Sequence, residues 1–155
     1  ELEADIVVSA TGLDLLFMGG MELTVDGEPV PLGERLVYKG MMLDGVPNVA
    51  VAVGYTNASW TLKADLIAEY VCRLIKHMDQ TGTRIAVPER KDPNIKTGPL
   101  LDMTSNYVTR AEAYMPKGAD RAPWKLYQNY ALDMDQLHNG KLEDGVMTFR
   151  KAQAS

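Results

Sequence analysis

Apolar and polar positions alternate in two different rhythms along this chain, and the change of rhythm at its centre predicts a strand followed by a helix. Val49-Ala50-Val51-Ala52-Val53 has no polar alternation, so both faces of an extended segment there need cover, as in a central strand of a parallel sheet. Gly54 ends the run at a place where a side chain would obstruct a turn or a ligand. After the loop Tyr55-Thr56-Asn57-Ala58-Ser59, apolar residues recur at Leu62, Leu66, Tyr70, Leu74 and Met78, broadened by Ile67, Val71 and Ile75. That spacing predicts a helix from about Trp60 or Thr61 to Gln80. Asn57, Ser59 or Thr61 can cap its start, and Gly82 can take the left-handed conformation that follows a helix end.

Weaker signals flank this unit. Ile6-Val7-Val8-Ser9-Ala10, closed by Thr11-Gly12, reads as a buried strand whose neighbours belong partly to chain upstream of Glu1. Asp26-Gly27 between Leu23-Thr24-Val25 and Val30-Pro31-Leu32 predicts a tight hairpin, kept to an edge by Pro29 and Pro31. Leu36 to Leu43 reads as extended and is broken by Asp44-Gly45-Val46-Pro47-Asn48. Arg84 to Val87 and Val146 to Phe149 are further strand candidates, and Pro88 to Pro99 is a surface excursion rich in charge, proline and glycine. Tyr107 to Tyr114 reads as a short helix. A second helix is expected from Pro123 to about Leu137, with Trp124, Tyr127, Ala131 and Met134 inward and Gly140 as its stop. The class expected is α/β.

Composition narrows the function classes. With 155 residues, 46% of them hydrophobic, the chain can bury a real core. Its net charge of −5 and scattered basic residues give no electrostatic footprint for nucleic acid, so no nucleic-acid partner is expected. A single cysteine, Cys72, can form neither an internal disulfide nor a cysteine metal cluster, and a reducing, cytoplasmic setting is the default. No apolar stretch approaches the roughly 20 residues of a membrane span. Glu1-Leu2-Glu3-Ala4-Asp5 lacks both an initiator methionine and a leader pattern, and reads as a cut.

The best candidate for chemistry is the turn from Gly54 to Leu62, because a parallel sheet offers its ligand crevice at the carboxyl ends of its strands. Free N–H groups and the positive dipole end of the following helix suit a phosphate or an electron-rich ring. The alternative is an ordinary capped strand-to-helix turn, which uses the same residue types and is the commoner outcome of this local pattern. No two glycines are separated by one residue, so no G-x-G-x-x-G loop exists, and Gly140-Lys141-Leu142 ends no P-loop. His77 and His138 lack partner ligands, so no metal site is expected, and each reads as a cation near a helix end. Cys72 reads as a small packed hydrophobe. Met18, Met21, Met41 and Met42 suggest core filling more than an adaptable pocket. Trp60 can be either pocket wall or core.

Two stretches carry a resemblance. Ala4-Asp5-Ile6-Val7-Val8-Ser9-Ala10-Thr11-Gly12 resembles the D-x-x-x-x-A-T-G strand of flavin-containing and Baeyer–Villiger monooxygenases, where the nicotinamide-binding domain returns to the FAD domain. Val46 to Gly54 resembles that family's later P-N strand, followed by Tyr55-Thr56-Asn57-Ala58-Ser59-Trp60-Thr61-Leu62-Lys63-Ala64-Asp65-Leu66. With Tyr38-Lys39-Gly40-Met41-Met42-Leu43 and Pro123-Trp124-Lys125-Leu126-Tyr127-Gln128-Asn129-Tyr130, the likeness is to the subgroup of the ethionamide-activating monooxygenase.

The resemblance implies a C-terminal fragment of an FAD- and NADPH-dependent monooxygenase that transfers one oxygen of O2, through a flavin C4a-peroxide, to a ketone or sulfur substrate. Its implied divisions are residues 1–12 as the end of the nicotinamide-domain return strand, 13–82 as the C-terminal part of a Rossmann-like FAD-binding domain, and 83–155 as a C-terminal, helical extension. Gly12, Gly54, Thr56, Asn57, Thr61 and Leu62 are the implied FAD contacts, with Ser59 and Trp60 on the substrate side. No catalytic residue is assigned, because the dinucleotide loops and the fingerprint with its His and Trp-Pro are missing from this sequence. The chain alone is then expected to be inactive, to hold FAD weakly, to need the upstream portion of the same enzyme as partner, and to self-associate through exposed apolar surface. The rival reading is a stand-alone, non-catalytic interaction or ligand-binding module derived from that family.

Overall fold

A computed structural model describes residues 2–152. Its backbone is one long helix surrounded by short antiparallel ladders. The hairpin expected at Asp26-Gly27 forms, pairing β1 (Thr24–Val25) with β2 (Glu28–Pro29). Asp26 and Gly27 both adopt positive φ, 53° and 84°, as a two-residue turn of matching twist requires. The extended reading of 36–43 resolves into a second hairpin, β3 (Val37–Tyr38) against β4 (Met42–Leu43), because Lys39 and Gly40 take φ of 49° and 72° and fold the segment back on itself.

Helix α1 runs from Trp60 to Thr81, and Gly82, at φ 67°, closes it by donating its N–H to Asp79. Its buried face carries Leu66, Ile67, Tyr70 and Leu74, as the periodicity requires, and one residue of opposite character, Lys63. Leu62 and Ile75 lie outside the buried stripe. β5 (Ile85–Pro88) pairs in antiparallel register with β8 (Met147–Arg150), so two segments legible as isolated strands turn out to be partners. Residues 88–99 form the expected excursion, pinned by buried Ile95 and ending in β6 (Thr97–Pro99), which pairs with β7 (Lys117–Ala119). The short helix α2 spans Asn106–Ala111.

Three expectations are corrected. Among the described residues every ladder is two-stranded and antiparallel, so the helix-and-strand composition stands but no parallel sheet is formed. Ile6, Val7 and Val8 are 81%, 84% and 85% exposed and pair with nothing described, because burial of such a run depends on neighbours outside it. Val49 to Val53 is likewise not covered on both faces: Ala50 and Ala52 are exposed, and its strand-like tie among the described residues is to Met41 and Met42 on one side.

The helix expected from Pro123 begins only at Tyr130. Asn129 supplies the cap, its side-chain carbonyl accepting from the Leu132 N–H at 3.1 Å; α3 (Tyr130–Asp133) then widens into a π-helical turn over Met134–Asn139. Trp124 is buried before that helix starts, whereas Ala131 faces out. The part after residue 82 is therefore a mixture of short strands and short helices, not a helical extension.

Two apolar clusters hold these pieces. One joins α1 to Leu36, Tyr38, Met41, Met42, Trp124, Leu137 and Met147; the other gathers Val30, Val37, Leu43, Val46, Leu100, Ala111 and Met115. Arg73 ties α1 to the π-helical turn, its guanidinium donating to the carbonyls of Leu137, His138 and Gly140. These carbonyls lie at a helix end, where backbone acceptors lack partners and a cation is favoured.

Candidate functional site

The segment from Gly54 to Leu62 lies at the surface beside the start of α1. Gly54 and Tyr55 are buried, and every residue from Thr56 to Leu62 is exposed. Ser59 stands at the N-cap without capping through its side chain; its hydroxyl instead lies 2.8 Å from that of Thr61. The first turn of a 22-residue helix thus presents its N–H groups and the positive end of its dipole outward, beside three hydroxyls and the Asn57 amide. Trp60 is 55% exposed, and its indole lies against Gly54 so closely that a Cβ there would stand 2.2 Å from the ring. This decides the alternatives for Trp60 in favour of a wall.

On the other side of that wall is an apolar hollow of about 550 Å³, lined by Leu15 to Met18, Val51 to Gly54, Thr56, Trp60, Leu100, Leu101, Met103, Tyr107, Val108 and Met115. Met18 is in its lining, whereas Met41 and Met42 fill the core and Met21 is exposed. Gly12 lies outside that lining, at φ 94° near Arg110 of α2. The structure therefore brings Thr56, Asn57, Ser59, Trp60, Thr61 and Leu62 to one surface, sets Gly54 buried behind Trp60, and leaves Gly12 apart from them.

Beneath the turn is a polar cluster that the sequence reading missed. Tyr55 donates its hydroxyl to Asp133 Oδ2 at 2.7 Å, and Lys63 Nζ lies 2.7 Å from Asp133 Oδ1. Lys63 is 1% and Asp133 4% exposed. Burial holds the Lys63 ammonium below its ordinary pKa, and the Asp133 carboxylate opposes that shift. Burial likewise raises the Tyr55 phenol, reinforced by its bond to Asp133, so the hydroxyl stays protonated. Next to this cluster, Gln128 accepts from the Thr56 N–H through Oε1 at 2.9 Å, while its own carbonyl accepts from Asn57 Nδ2 at 3.1 Å. One signal for Lys63 was present: it falls at i−3, i−4 and i−7 from Leu66, Ile67 and Tyr70, on the apolar stripe. Nothing local to Asp133 or Gln128 points to this cluster.

A second, mostly buried network joins Tyr38, Lys39, Tyr70 and Asp144. The Tyr38 hydroxyl is 2.6 Å from Asp144 Oδ2 and 2.9 Å from the Tyr70 hydroxyl, and Lys39 Nζ is 3.3 Å from the same carboxylate oxygen. Burial raises both tyrosines, Tyr70 to about 12. For Asp144 burial pushes upward, but the Tyr38 hydroxyl, the Val146 and Met147 amides and the Lys39 ammonium outweigh it and leave the carboxyl below its usual range. Lys39 also sits 4.9 Å from the Tyr70 ring centre. Only Asp144 reaches solvent, while Tyr38, Lys39 and Tyr70 are buried, so the network ties a surface carboxylate into the core.

The remaining candidates are placed as follows. His77 packs edge-on against Phe149 and lies 3.2 Å from Glu143; His138 pairs with Glu69 at 2.8 Å. Both are therefore partnered. Cys72 is exposed, contrary to expectation, because the buried stripe through Tyr70 and Leu74 leaves position 72 on the opposite side of α1. No helix among the described residues is long and apolar enough to cross a membrane.

Along its whole length the chain is homologous to proteins named as FAD-containing monooxygenases. It is 47% identical over 154 residues to the FAD-containing monooxygenase EthA of Mycobacterium tuberculosis, a match covering 99% of this chain and 32% of that protein. It is 44% identical over 151 residues to the probable FAD-binding monooxygenase AlmA of Acinetobacter baylyi, covering 97% of this chain and 30% of that one. The putative FAD-containing monooxygenase MymA of Mycobacterium tuberculosis is 42% identical over 153 residues, covering 98% and 31%. The chain thus spans about a third of the length of the curated relatives it matches. No family model and no solved structure matches it.

Proposed function

We propose that this chain is the C-terminal part of an FAD- and NADPH-dependent monooxygenase and supplies the surface against which the flavin ring lies. The observation that carries this reading is the exposed turn Thr56–Leu62 with an uncapped helix start, in a chain 42–47% identical end to end to FAD-containing monooxygenases. The residues fit the group. A flavin pyrimidine edge is rich in acceptors, and the turn offers exposed hydroxyls and the uncapped N–H groups of the first turn of α1, with the Asn57 amide keeping one hydrogen beside its bond to Gln128. Gly54, Thr56, Asn57, Thr61 and Leu62 hold that edge, Ser59 and Trp60 face the substrate, and Gly12 joins the site only when Ile6 to Ala10 is paired in a sheet. When bound and reduced by NADPH, FAD supplies the electrons that allow one oxygen atom of O2 to pass to a ketone or sulfur substrate. This chain's contribution is to position the ring, donate hydrogen bonds to its electron-rich edge and wall off water with Trp60.

In this reading residues 1–12 end the nicotinamide-domain return strand, 13–82 complete the FAD-binding domain, and 83–155 form the C-terminal extension that packs beneath the turn. The exposed Ile6 to Val8 run and the half-covered Val49 to Val53 segment pair with the portion of the enzyme represented by the other two thirds of the relatives. The enzyme works in the cytoplasm. Alone, the chain is catalytically incomplete, because its sequence has no glycine loop for the cofactor phosphates, and it self-associates through these unpaired segments.

The test is turnover by the full-length protein with NADPH, 18O2, and either a ketone or a thioether. Product carrying one labelled oxygen is expected, and which substrate gains it separates insertion from heteroatom oxygenation. Absence of bound FAD and of NADPH consumption overturns the reading. The isolated chain should leave the flavin spectrum unchanged or nearly so and scatter light as an oligomer. Tight stoichiometric FAD binding by it refutes incompleteness and favours a stand-alone binding module.

A further inference from the structure

The exposed turn has almost no packing of its own, which raises the question of what fixes it. From Thr56 to Leu62 no side chain is buried, yet a surface that orients a ring must hold its shape to a fraction of an ångström. The bonds that reach it come from one short segment. Gln128 takes the Thr56 N–H and the Asn57 amide, and Asp133 takes the Tyr55 hydroxyl and the Lys63 ammonium. The exposed stretch is therefore tethered on both flanks, at 55–57 and at 63, by two residues five positions apart.

Gln128 is built for this at a cost. Its φ of 51° is a left-handed conformation that side chains disfavour, and strain of that kind persists where the surroundings impose it. Held so, its backbone carbonyl and its Oε1 both face the turn. Because the Thr56 N–H must meet an acceptor, the amide orientation is also fixed. Asp133 is buried with no open face toward solvent, so it acts through Tyr55 and Lys63, not on a ligand directly.

We propose that Gln128 and Asp133 are positioning residues that set the flavin-facing turn, and hence that the segment after residue 82 governs the geometry of the oxygenation site. The inference rests on the monooxygenase reading above. Its test uses the full-length protein with Tyr55→Phe, which removes one hydroxyl, and Gln128→Ala as a second variant should the first fail to fold. The readouts are FAD stoichiometry, the visible band and midpoint potential of the bound flavin, kcat, and KM for NADPH. FAD should remain stoichiometric while its band and potential move. A tenfold to hundredfold fall in kcat, with KM for NADPH changed by less than about twofold, is the size of effect that a small misplacement produces.

Variants with the flavin band, potential and kcat of the parent protein overturn the inference. Loss of FAD from both variants also overturns it, since that is what a purely structural role produces. A parent protein that neither holds FAD nor consumes NADPH overturns the functional reading and the inference together, a result distinct from a normal flavin with indifferent variants.

Discussion

Replacing Asp133 by asparagine keeps the shape of the side chain and an acceptor for Tyr55 but removes the carboxylate that, among the described residues, pairs with Lys63. The lysine is 1% exposed, so the ammonium would be left in apolar surroundings without compensation. Breaking a buried pair from one side typically costs about 3–5 kcal/mol, a large share of the roughly 5–15 kcal/mol that holds a domain folded. The lysine can relieve this by releasing its proton. Its folded pKa is already below the ordinary 10.5 because of burial, and loss of the opposing carboxylate lowers it further.

The sign follows from proton counts. Where the folded variant binds fewer protons than the unfolded chain, stability rises with pH, and the penalty is fully relieved only above the unfolded pKa. The deficit of Asp133→Asn relative to the parent should therefore shrink as pH rises through the alkaline window below the ordinary lysine value of 10.5, by up to about 1.4 kcal/mol per unit. Urea unfolding of both proteins followed by circular dichroism, with the association state held equal, measures this. A deficit below about 1 kcal/mol at neutral pH, or one identical across the window, refutes the buried pair.

Gly82→Ala and Gly40→Ala separate backbone strain from crowding. At Gly82, φ is 67° with nothing within 4 Å of a new Cβ, so about 1 kcal/mol is expected in thermal or urea melts. At Gly40, φ is 72° and the Cβ would stand 2.9 Å from Leu126 and 3.3 Å from Lys63, so a further 1–3 kcal/mol or so is expected. Asp144→Asn should cost about 1–3 kcal/mol at neutral pH. Because the Asp144 pKa is depressed, its contribution is present above 3.8 and lost as pH falls through the folded value, so acid titration of the variant should show a shallower loss there. Cys72 should react with a thiol reagent in the native protein about as fast as in the unfolded one, since it lies on the outer side of α1. Protection would place it in the core.

What was legible in the sequence is what local periodicity encodes. The helix from Trp60 to its glycine stop follows from 3.6-residue spacing, and the Asp26-Gly27 hairpin from the φ values its two residues accept. The strands at 85–88 and 147–150 were visible singly, but their pairing spans most of the second half of the chain and has no local signature. Val49 to Val53 and Ile6 to Ala10 carry the composition of covered strands, yet cover is a property of neighbours, and within the described residues they have too few. The late helix was misplaced because Pro123 and Asn129 are both admissible starts, and Asn129, with its side chain on the Leu132 N–H, is the one that caps it. At the site, the turn itself was readable from its residue types. Its supports at Gln128 and Asp133 were not, because each meets its partner across some seventy residues of intervening chain.

The β5–β8 ladder has a consequence for biosynthesis. Ile85 to Pro88 emerge from the ribosome long before Met147 to Arg150, and until then their edge has no partner. A nascent chain stalled in that interval displays a ready template for a neighbouring polypeptide, so the yield of correctly closed molecules should depend on translation speed and chaperone supply more than on the stability of the finished fold.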